Sequence, residues 1–523
     1  MHATKVFILI FFIGLGARAQ RAVPNEWVVQ VSPKKLQGFT QLKKFKLRKI
    51  NQKMAVFTAK TREELLKIEG VEKVEPNYIY EMAKSPNDPL YSSLWGLHNA
   101  GQKDSSGTRG SKGIDLDIEN AWNISTGSKK VIVAVIDTGV DFTIPDLKNN
   151  AWINQAEANG LKDVDDDKNG YVDDIHGYNF VSNKGDSTDD NGHGSHCSGT
   201  IGAQGNDHQG VVGINWDVSI MAVKFISSDG TGTLENAVKA IDYARKNGAQ
   251  IMSNSWGGLA ESAILQQAVV DANAAGILFV AAAGNNGADN DRAPFYPASY
   301  KMDNVIAVGA INNRARLSSF SNFGPETVQI AAPGENILST TPQGFETMSG
   351  TSMAAPHVAG VAALLLSVEP QLTAAQLKTR IVDTARPLFR LKNRVMSGGM
   401  IDAYAALSNQ KPGPDLSDPN LLPTHQASSL ASAHPYPMNS AQVFTLKVPG
   451  AKRIAFHFSR FETEPNFDYV EVLDPVGRSY DKLSGFHSDE YSEIIEGDTI
   501  LLHFTSDKSV NGYGFDIDQI FFE

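Results

Sequence analysis

Several short runs between residues 115 and 408 are apolar almost from end to end: VIVAVIDTGV, SIMAVKFIS, AQIMSNSWG, GILFVAAAG, DNVIAVGAI and VQIAAPG. A strand with one wet face alternates apolar and polar residues, so unbroken runs of this kind demand cover on both faces. Patterns of helical period lie between them, among them TLENAVKAIDYARKNG and ESAILQQAVVDANAAG. Strand and helix in alternation predict an α/β fold with a mainly parallel sheet flanked by helices. The prediction reaches chemistry as well, because functional side chains in an open parallel sheet gather at the carboxyl ends of the strands.

The flanking regions read differently. At the N-terminus, MHATKVFILIFFIGLGARAQ has Lys5, an apolar core from Val6 to about Gly16, and Ala17-Arg18-Ala19 as a small-x-small site. This is the pattern of a secretory signal peptide cut after Ala19, and it predicts a secreted protein. No later apolar segment approaches 20 residues, so no transmembrane anchor is expected. EWVVQVS, TREELLKIEG and VEKVEPNYIY predict a small α/β unit, and KSPNDPLYSSLWGL a turn-rich junction. NQKPGPDLSDPNLLPTHQ is a Pro-rich linker. Beyond it AQVFTLKVP, RIAFHFSRF, DYVEVLDP, SEIIEG and TILLHFTSD are short strands split by turns, the pattern of a β-sandwich. The expected divisions are 1–19, 20–84, 85–411, a linker at 412–424, and 425–523.

Charge and cysteine narrow the function. Residues 21–84 hold 14 Lys/Arg against 7 Asp/Glu, whereas 85–523 hold 31 against 51. A basic arm and an acidic body on one chain point to a self-partner, and the acidic body disfavours nucleic acid. The single cysteine, Cys197, excludes an intrachain disulfide, so an exported chain needs other bracing, for which calcium is a candidate. DVDDDKNGYVDD at 163–174 has the alternation of a calcium loop. With Asp165 at position one, Asp167 and Asn169 fall at three and five and Gly170 at six. Asp173 and Asp174 would complete the oxygen shell, although His176 stands where an EF-hand has glutamate. No nucleotide or haem motif is present, and no organic cofactor is expected.

Four positions carry candidate chemistry. Asp137 ends an apolar strand in VIDTGVD, and His193 lies in DDNGHGSHCSGT among glycines that allow close backbone approach. Asn285 follows another strand in VAAAGNNG, and Ser352 stands where GTSMAAPHVAG enters an apolar helix. Each has an ordinary reading: a turn aspartate, one half of a weak His-Gly-Ser-His metal pair, a left-handed turn asparagine, and an N-cap serine. Pro356 is expected in or near the first turn of that helix. Together they supply what serine catalysis needs: a nucleophile, a base to take its proton, a carboxylate to orient the base, and a donor for the oxyanion. The chain order is Asp, His, Ser, with successive members 56 and 159 positions apart.

VIDTGVD, NGHGSHCSGT, AAAGNNG and GTSMAAPHVAG closely resemble the subtilisin-like serine peptidases, which share that chain order. The resemblance covers about residues 85–408. It implies Asp137 as orienting acid, His193 as general base, Ser352 as nucleophile and Asn285 as side-chain oxyanion donor. It also implies that Ser255, Trp256 and Gly257 of NSWGG line a cleft where an extended protein or peptide substrate adds as a strand. Cys197, His196 and His357 are expected to be structural. Asp146 and the GNDHQG turn resemble a second calcium site of the family. Asp289, Asp291 and Arg292 are expected to approach the pocket for the substrate's P1 side chain. Residues 20–84 resemble the family's inhibitory pro-segment, released by the enzyme's own cut between Tyr80 and Asn87.

RFETEPNFDYVEVLD, LSGF and LLHFTSDKSVNGYGF resemble CUB domains, here without the usual cysteines. That likeness implies Glu464, Asp468 and Asp507 as calcium-binding carboxylates, with Asn511 beside them. It also implies a module that docks substrate or a surface. The function expected is a calcium-stabilised serine endopeptidase. An esterase or peptide ligase on the same triad, or a binding protein using the fold as a platform, stays open.

Overall fold

The computed structural model describes residues 22–31, 47–51, 53–68, 70–78, 85–487 and 489–523. The signal peptide predicted at 1–19 and most of the window predicted for a self-cut lie outside them. The chain divides into two compact units, Met1–Lys84 and Ser85–Glu523.

In the first unit, β1 (Ala22–Val31), β2 (Leu47–Lys49), β3 (Met54–Thr58) and β4 (Val71–Tyr78) form an antiparallel sheet in the order β2-β3-β1-β4. Helix α1 (Arg62–Leu66) is capped by the Thr61 side chain, which accepts from Glu64 N–H. Val29, Val31, Phe57, Leu65 and Val74 close its core.

The second unit begins with a nine-stranded sheet. Its strands are β5 (Gly127–Asp137), β6 (Gly177–Asn179), β7 (Asp217–Lys224), β8 (Ile251–Asn254), β9 (Leu278–Ala282), β10 (Val305–Ile311), β11 (Ile330–Pro333), β14 (Arg386–Pro387) and β15 (Gly399–Met400). They run in the order β14-β15-β11-β10-β9-β8-β5-β7-β6, parallel except for the β14–β15 pair. A hairpin of β12 (Ile337–Thr341) and β13 (Gly344–Met348) stands apart. Both faces of the sheet are covered, as the unbroken apolar runs require. Val131, Val133 and Val135 of β5 enter one core layer, while Ala134 and Ile136 enter the other. Helices α3 (Leu234–Lys246) and α4 (Ala263–Ala274) lie on that second face, each started by a side-chain cap, Thr233 and Ser262. On the first face lie α2 (His193–Gly202), α5 (Thr351–Val368) and α6 (Ala374–Asp383).

Helix α5 has the length and composition of a membrane span, yet 83% of it is buried in the fold. Its proline is further in than the sequence suggests. Thr351 is the first helical residue, so Pro356 is the sixth. Lacking an N–H, Pro356 leaves the carbonyl of Ser352 without its helical partner. Ser255 Oγ donates to that carbonyl instead at 2.8 Å, and the Cys197 thiol lies 3.4 Å from it.

The C-terminal region is an antiparallel sandwich. Strands β16 (Thr424–Ala431), β24 (Gly514–Phe522), β18 (Arg453–Glu462) and the short β21 (Glu490–Tyr491) and β22 (Ile495–Glu496) make one sheet. The other runs β17 (Ala441–Lys447), β23 (Thr499–Thr505), β19 (Tyr469–Leu473), β20 (Ser479–Leu483). Phe456, Phe458 and Phe515 from the first sheet pack with Val470, Leu502 and Phe504 from the second.

Candidate active site

The polar residues singled out above meet at the carboxyl edge of the parallel sheet. Asp137 is the last residue of β5 and fully buried. His193 opens α2, after Gly192 at φ 107°, a left-handed conformation that favours glycine. Its Nδ1 lies 2.8 Å from Asp137 Oδ1, which also accepts the Thr138 N–H at 2.7 Å. Burial alone would push the His193 pKa down, but the charge and hydrogen bond of Asp137 outweigh it and hold the value above the ordinary 6.5. One side-chain atom each of Asp137, His193 and Cys197 lie within 4.8 Å of one another. That trio is a poor metal site, because Nδ1 is taken by Asp137 and burial keeps the thiol protonated.

A residue the sequence reading passed over fixes this geometry. Asp189 is buried and accepts from Thr138 Oγ1 and from the N–H groups of Asn191, Gly192 and Ser195 at 2.9–3.0 Å. Thr138 Oγ1 in turn accepts from Gly194 N–H at 2.9 Å. The turn after β5 and the start of α2 are thus bolted together, and a carboxylate sits at the positive end of the helix. The only sequence sign was its place four residues before His193 in DDNGH.

Ser352 is the second residue of α5, where the N–H groups of the first turn lack helical partners. Its hydroxyl donates to Ser255 O at 3.0 Å, and among the described residues no hydrogen bond joins it to His193. The chain of contacts Ser352 O to Cys197 Sγ (3.4 Å), with Cys197 one turn along from His193, brings nucleophile and base candidates to one place. Asn285 follows β9. Its Oδ1 accepts from both the N–H and the Oγ1 of Thr351, at 2.8 and 2.9 Å, which turns the Nδ2 donor outward. Thr351, fully buried and also accepting from Gly284 N–H, was likewise missed. A Cβ placed on Gly350 would sit 3.4 Å from Asn285 Nδ2 and 3.6 Å from Ser352 N. Both nitrogens therefore lie beside the space that this glycine leaves open. Buried Asn290 and Asn322 brace the loop, with Asn322 holding the N–H groups of Asn286 and Ala288.

The side chains of the predicted substrate edge point inward. Ser255 reaches the Ser352 carbonyl, and Trp256 packs edge-on against Phe225 at 4.9 Å. The main-chain groups of Trp256 and Gly257 carry no hydrogen bond among the described residues. A Cβ on Gly257 would meet Phe295 Cε1 at 2.3 Å, which accounts for the glycine. His196 and His357 are buried on carbonyls of Ile337 and Met353, each with its pKa pushed to about 4 by burial. The Asp291 carboxylate accepts from Glu326 and Thr327, and Asp289 pairs with exposed Arg292 at 3.3 Å.

Of the predicted calcium loop, Asp165 and Asp167 converge with Glu157, all three within 4.8 Å, and Glu157 was not foreseen. It comes from a short helix, Gln155–Ala158, and is buried. Asn169 bonds to Asp167 and Asp174 through its amide, while Asp174 is buried beneath Tyr243 O–H at 2.6 Å. Burial lifts the Asp174 pKa to about 6. Asp173 is not brought into the group, because its carboxylate accepts the Asp163 N–H at 3.0 Å. Asp146 is buried against Val211 N–H, and unpredicted Asp88 holds Asn206 N–H across the same GNDHQG turn. In the sandwich, Glu464, Asp468 and Asp507 lie within 4.8 Å of one another, and the Asn511 amide donates to Tyr436 O.

The family model for the Subtilase family matches residues 128–418. The chain is a subtilase. The CUB domain model matches residues 422–519 of the same subtilase. It is 38% identical over 326 residues to the thermophilic serine proteinase of Bacillus sp. (strain AK1), spanning 62% of this chain and 69% of that one. It is also 38% identical over 318 residues to subtilisin-like protease 1 of Plasmodium berghei (strain Anka), spanning 57% of this chain and 53% of that one. The subtilase thus matches about half the length of the Plasmodium relative. Among solved structures it resembles the proteases from Pseudoalteromonas arctica PAMC 21717, with a TM-score of 0.51 at 26% identity, over 62% of this chain and 99% of that one.

Proposed function

We propose that this subtilase is a secreted, calcium-stabilised serine endopeptidase, made with a signal peptide at 1–19 and an inhibitory pro-segment at 20–84. The observation that carries the reading is the 2.8 Å pairing of His193 Nδ1 with buried Asp137, beside a serine at a helix start and two nitrogens beside one space. Ser352 Oγ leaves Ser255 O, gives its proton to His193 Nε2 and attacks the substrate carbonyl. Asp137 keeps the other nitrogen protonated and steadies the imidazolium. Asn285 Nδ2–H and Ser352 N–H receive the oxyanion, and His193 returns the proton to the leaving amine. Water repeats the sequence on the acyl-enzyme. An extended peptide pairs with the free main-chain groups of Trp256 and Gly257.

Residues 85–411 would be the peptidase domain and 425–523 a CUB-like domain, joined by 412–424. Glu157, Asp165 and Asp167 suit a hard, oxygen-seeking cation, because their convergent carboxylates meet N–H donors but no cationic side chain. Calcium bound there would neutralise the group and tie the loop to the domain. Glu464, Asp468 and Asp507 form a second such set.

The test compares wild type with Ser352→Ala in calcium, following precursor mass and hydrolysis of an unstructured protein and of a small ester. Wild type should shed residues 20–84 and cleave the protein, while the variant does neither. A variant that matures and digests like wild type would overturn the assignment, and ester turnover without peptide cleavage would favour an esterase.

A further inference from the structure

The outer strands of the sandwich, β20 and β21, do not end in water. Arg314 and Arg316 come from the loop after β10, and Arg390 from a 3-10 turn at Phe389–Leu391. Arg314 donates to the main-chain carbonyl of Tyr480 at 2.7 Å and to Asp481 at 3.3 Å. Arg316 spans both sheets, bonding Asp481 of β20 and Glu490 of β21. Arg390 reaches Glu490 at 3.3 Å and the carbonyl of Tyr491 at 3.1 Å, and Phe389 meets the Tyr491 ring edge-on. Arg316 and Asp481 are 9% and 6% exposed, so water does not screen this pair. Ser111 Oγ adds a bond to Glu493 at 3.2 Å, and Asp415 of the linker accepts the N–H of Phe389 at 2.9 Å.

Sheet edges carry unpaired main-chain acceptors that proteins must cover. Here guanidinium groups from the α/β domain take the place of a neighbouring strand. We infer that Arg314, Arg316 and Arg390 form a built receptor for the β20–β21 edge of this chain's own C-terminal sandwich, so that the two domains form one fixed body rather than beads on a flexible linker. The interface supplies, without cysteine, a bracing that the sandwich cannot draw from disulfides.

The proposal does not depend on catalysis and is tested in full-length Ser352→Ala protein, which removes self-digestion. Calorimetry and small-angle scattering are compared for that protein, for Arg316→Glu, for Glu490→Lys on the sandwich side, and for the charge-swapped pair Arg316→Asp with Asp481→Arg. In the parent, the α/β domain and the sandwich should unfold in one transition. Each single variant should separate a sandwich transition lower by about 10 °C or more and increase the scattering radius, and the swapped pair should recover much of both. With Ser352 restored, short-peptide hydrolysis by Glu490→Lys should stay within about twofold of wild type, since that residue lies outside the α/β domain. If Arg316→Glu and Glu490→Lys keep one transition at the parent temperature and an unchanged radius, the receptor is refuted.

Discussion

Gly350→Ala separates catalysis from stability more cleanly than any change to the triad. Gly350 has φ 161° and ψ 161°, an extended backbone open to any residue, so alanine brings no strain. The contacts its Cβ would make, 3.4 Å to Asn285 Nδ2 and 3.6 Å to Ser352 N, are ordinary van der Waals distances. The fold should therefore tolerate the methyl, and the loss of glycine's unfolded-state freedom even favours it by about 0.4–1 kcal/mol. The oxyanion is different, because on the proposed mechanism it must sit about 2.7–3.1 Å from both donors, and the methyl would crowd both nitrogens. Losing one such donor costs on the order of 10² to 10³ in kcat, a figure taken from subtilisin's own asparagine rather than worked out for this chain. Obstructing both should cost at least that. The assay is kcat on a chromogenic peptide, corrected for active sites with an irreversible serine reagent, beside a thermal melt. A Gly350→Ala enzyme with an unchanged melt and a kcat within about threefold of wild type would refute the oxyanion geometry.

The raised His193 pKa gives a signed pH dependence: kcat/KM should climb with pH through a midpoint above 6.5, since the base must be neutral. Asp137→Asn removes the charge and leaves the burial, so its midpoint should fall below 6.5 as kcat drops by about 10⁴. The same raised pKa contributes stability below the unfolded value that is lost as pH rises through the folded one, so this stability and activity slope oppositely, as melts across that range will check. Chelation should lower the melting temperature, with a loss of about 2.7 kcal/mol of stability for calcium held at a hundred times its Kd, and Glu157→Gln should remove much of that response while Asp173→Asn removes little. Ser255→Ala deprives the Ser352 carbonyl of its O–H donor and should cost about 1–3 kcal/mol in denaturant unfolding.

What the sequence made legible was whatever repeats along the chain or sits in a local motif. Apolar runs such as VIVAVI predicted the two-sided sheet, and the motifs around Asp137, His193, Asn285 and Ser352 announced themselves through glycines and small residues. Residues whose task is defined only across the fold stayed hidden. Glu157 lies in an unremarkable helix and reaches Asp165 only once the loop has closed. Thr351 reads as part of the GTS motif, yet its work is to turn an amide 66 residues away. Asp173 fitted the loop's spacing, but a positive φ of 51° directs its carboxylate to Asp163 instead. The arginines at 314, 316 and 390 carry no signature, because their partners lie in another domain.

The proline inside α5 has a kinetic consequence. By freeing the Ser352 carbonyl, Pro356 lets Ser352 and Ser255 grip each other reciprocally, each hydroxyl donating to the other's main-chain oxygen. The backbone of Ser352, the proposed nucleophile, is thereby clasped to the strand edge proposed to take an extended substrate. A shift of that edge carries Ser352 with it, so poor registry of a bound peptide cannot be absorbed on the binding side alone. Changes along residues 255–257 should then appear in turnover as much as in affinity, which makes the edge a selector of which bound peptides react.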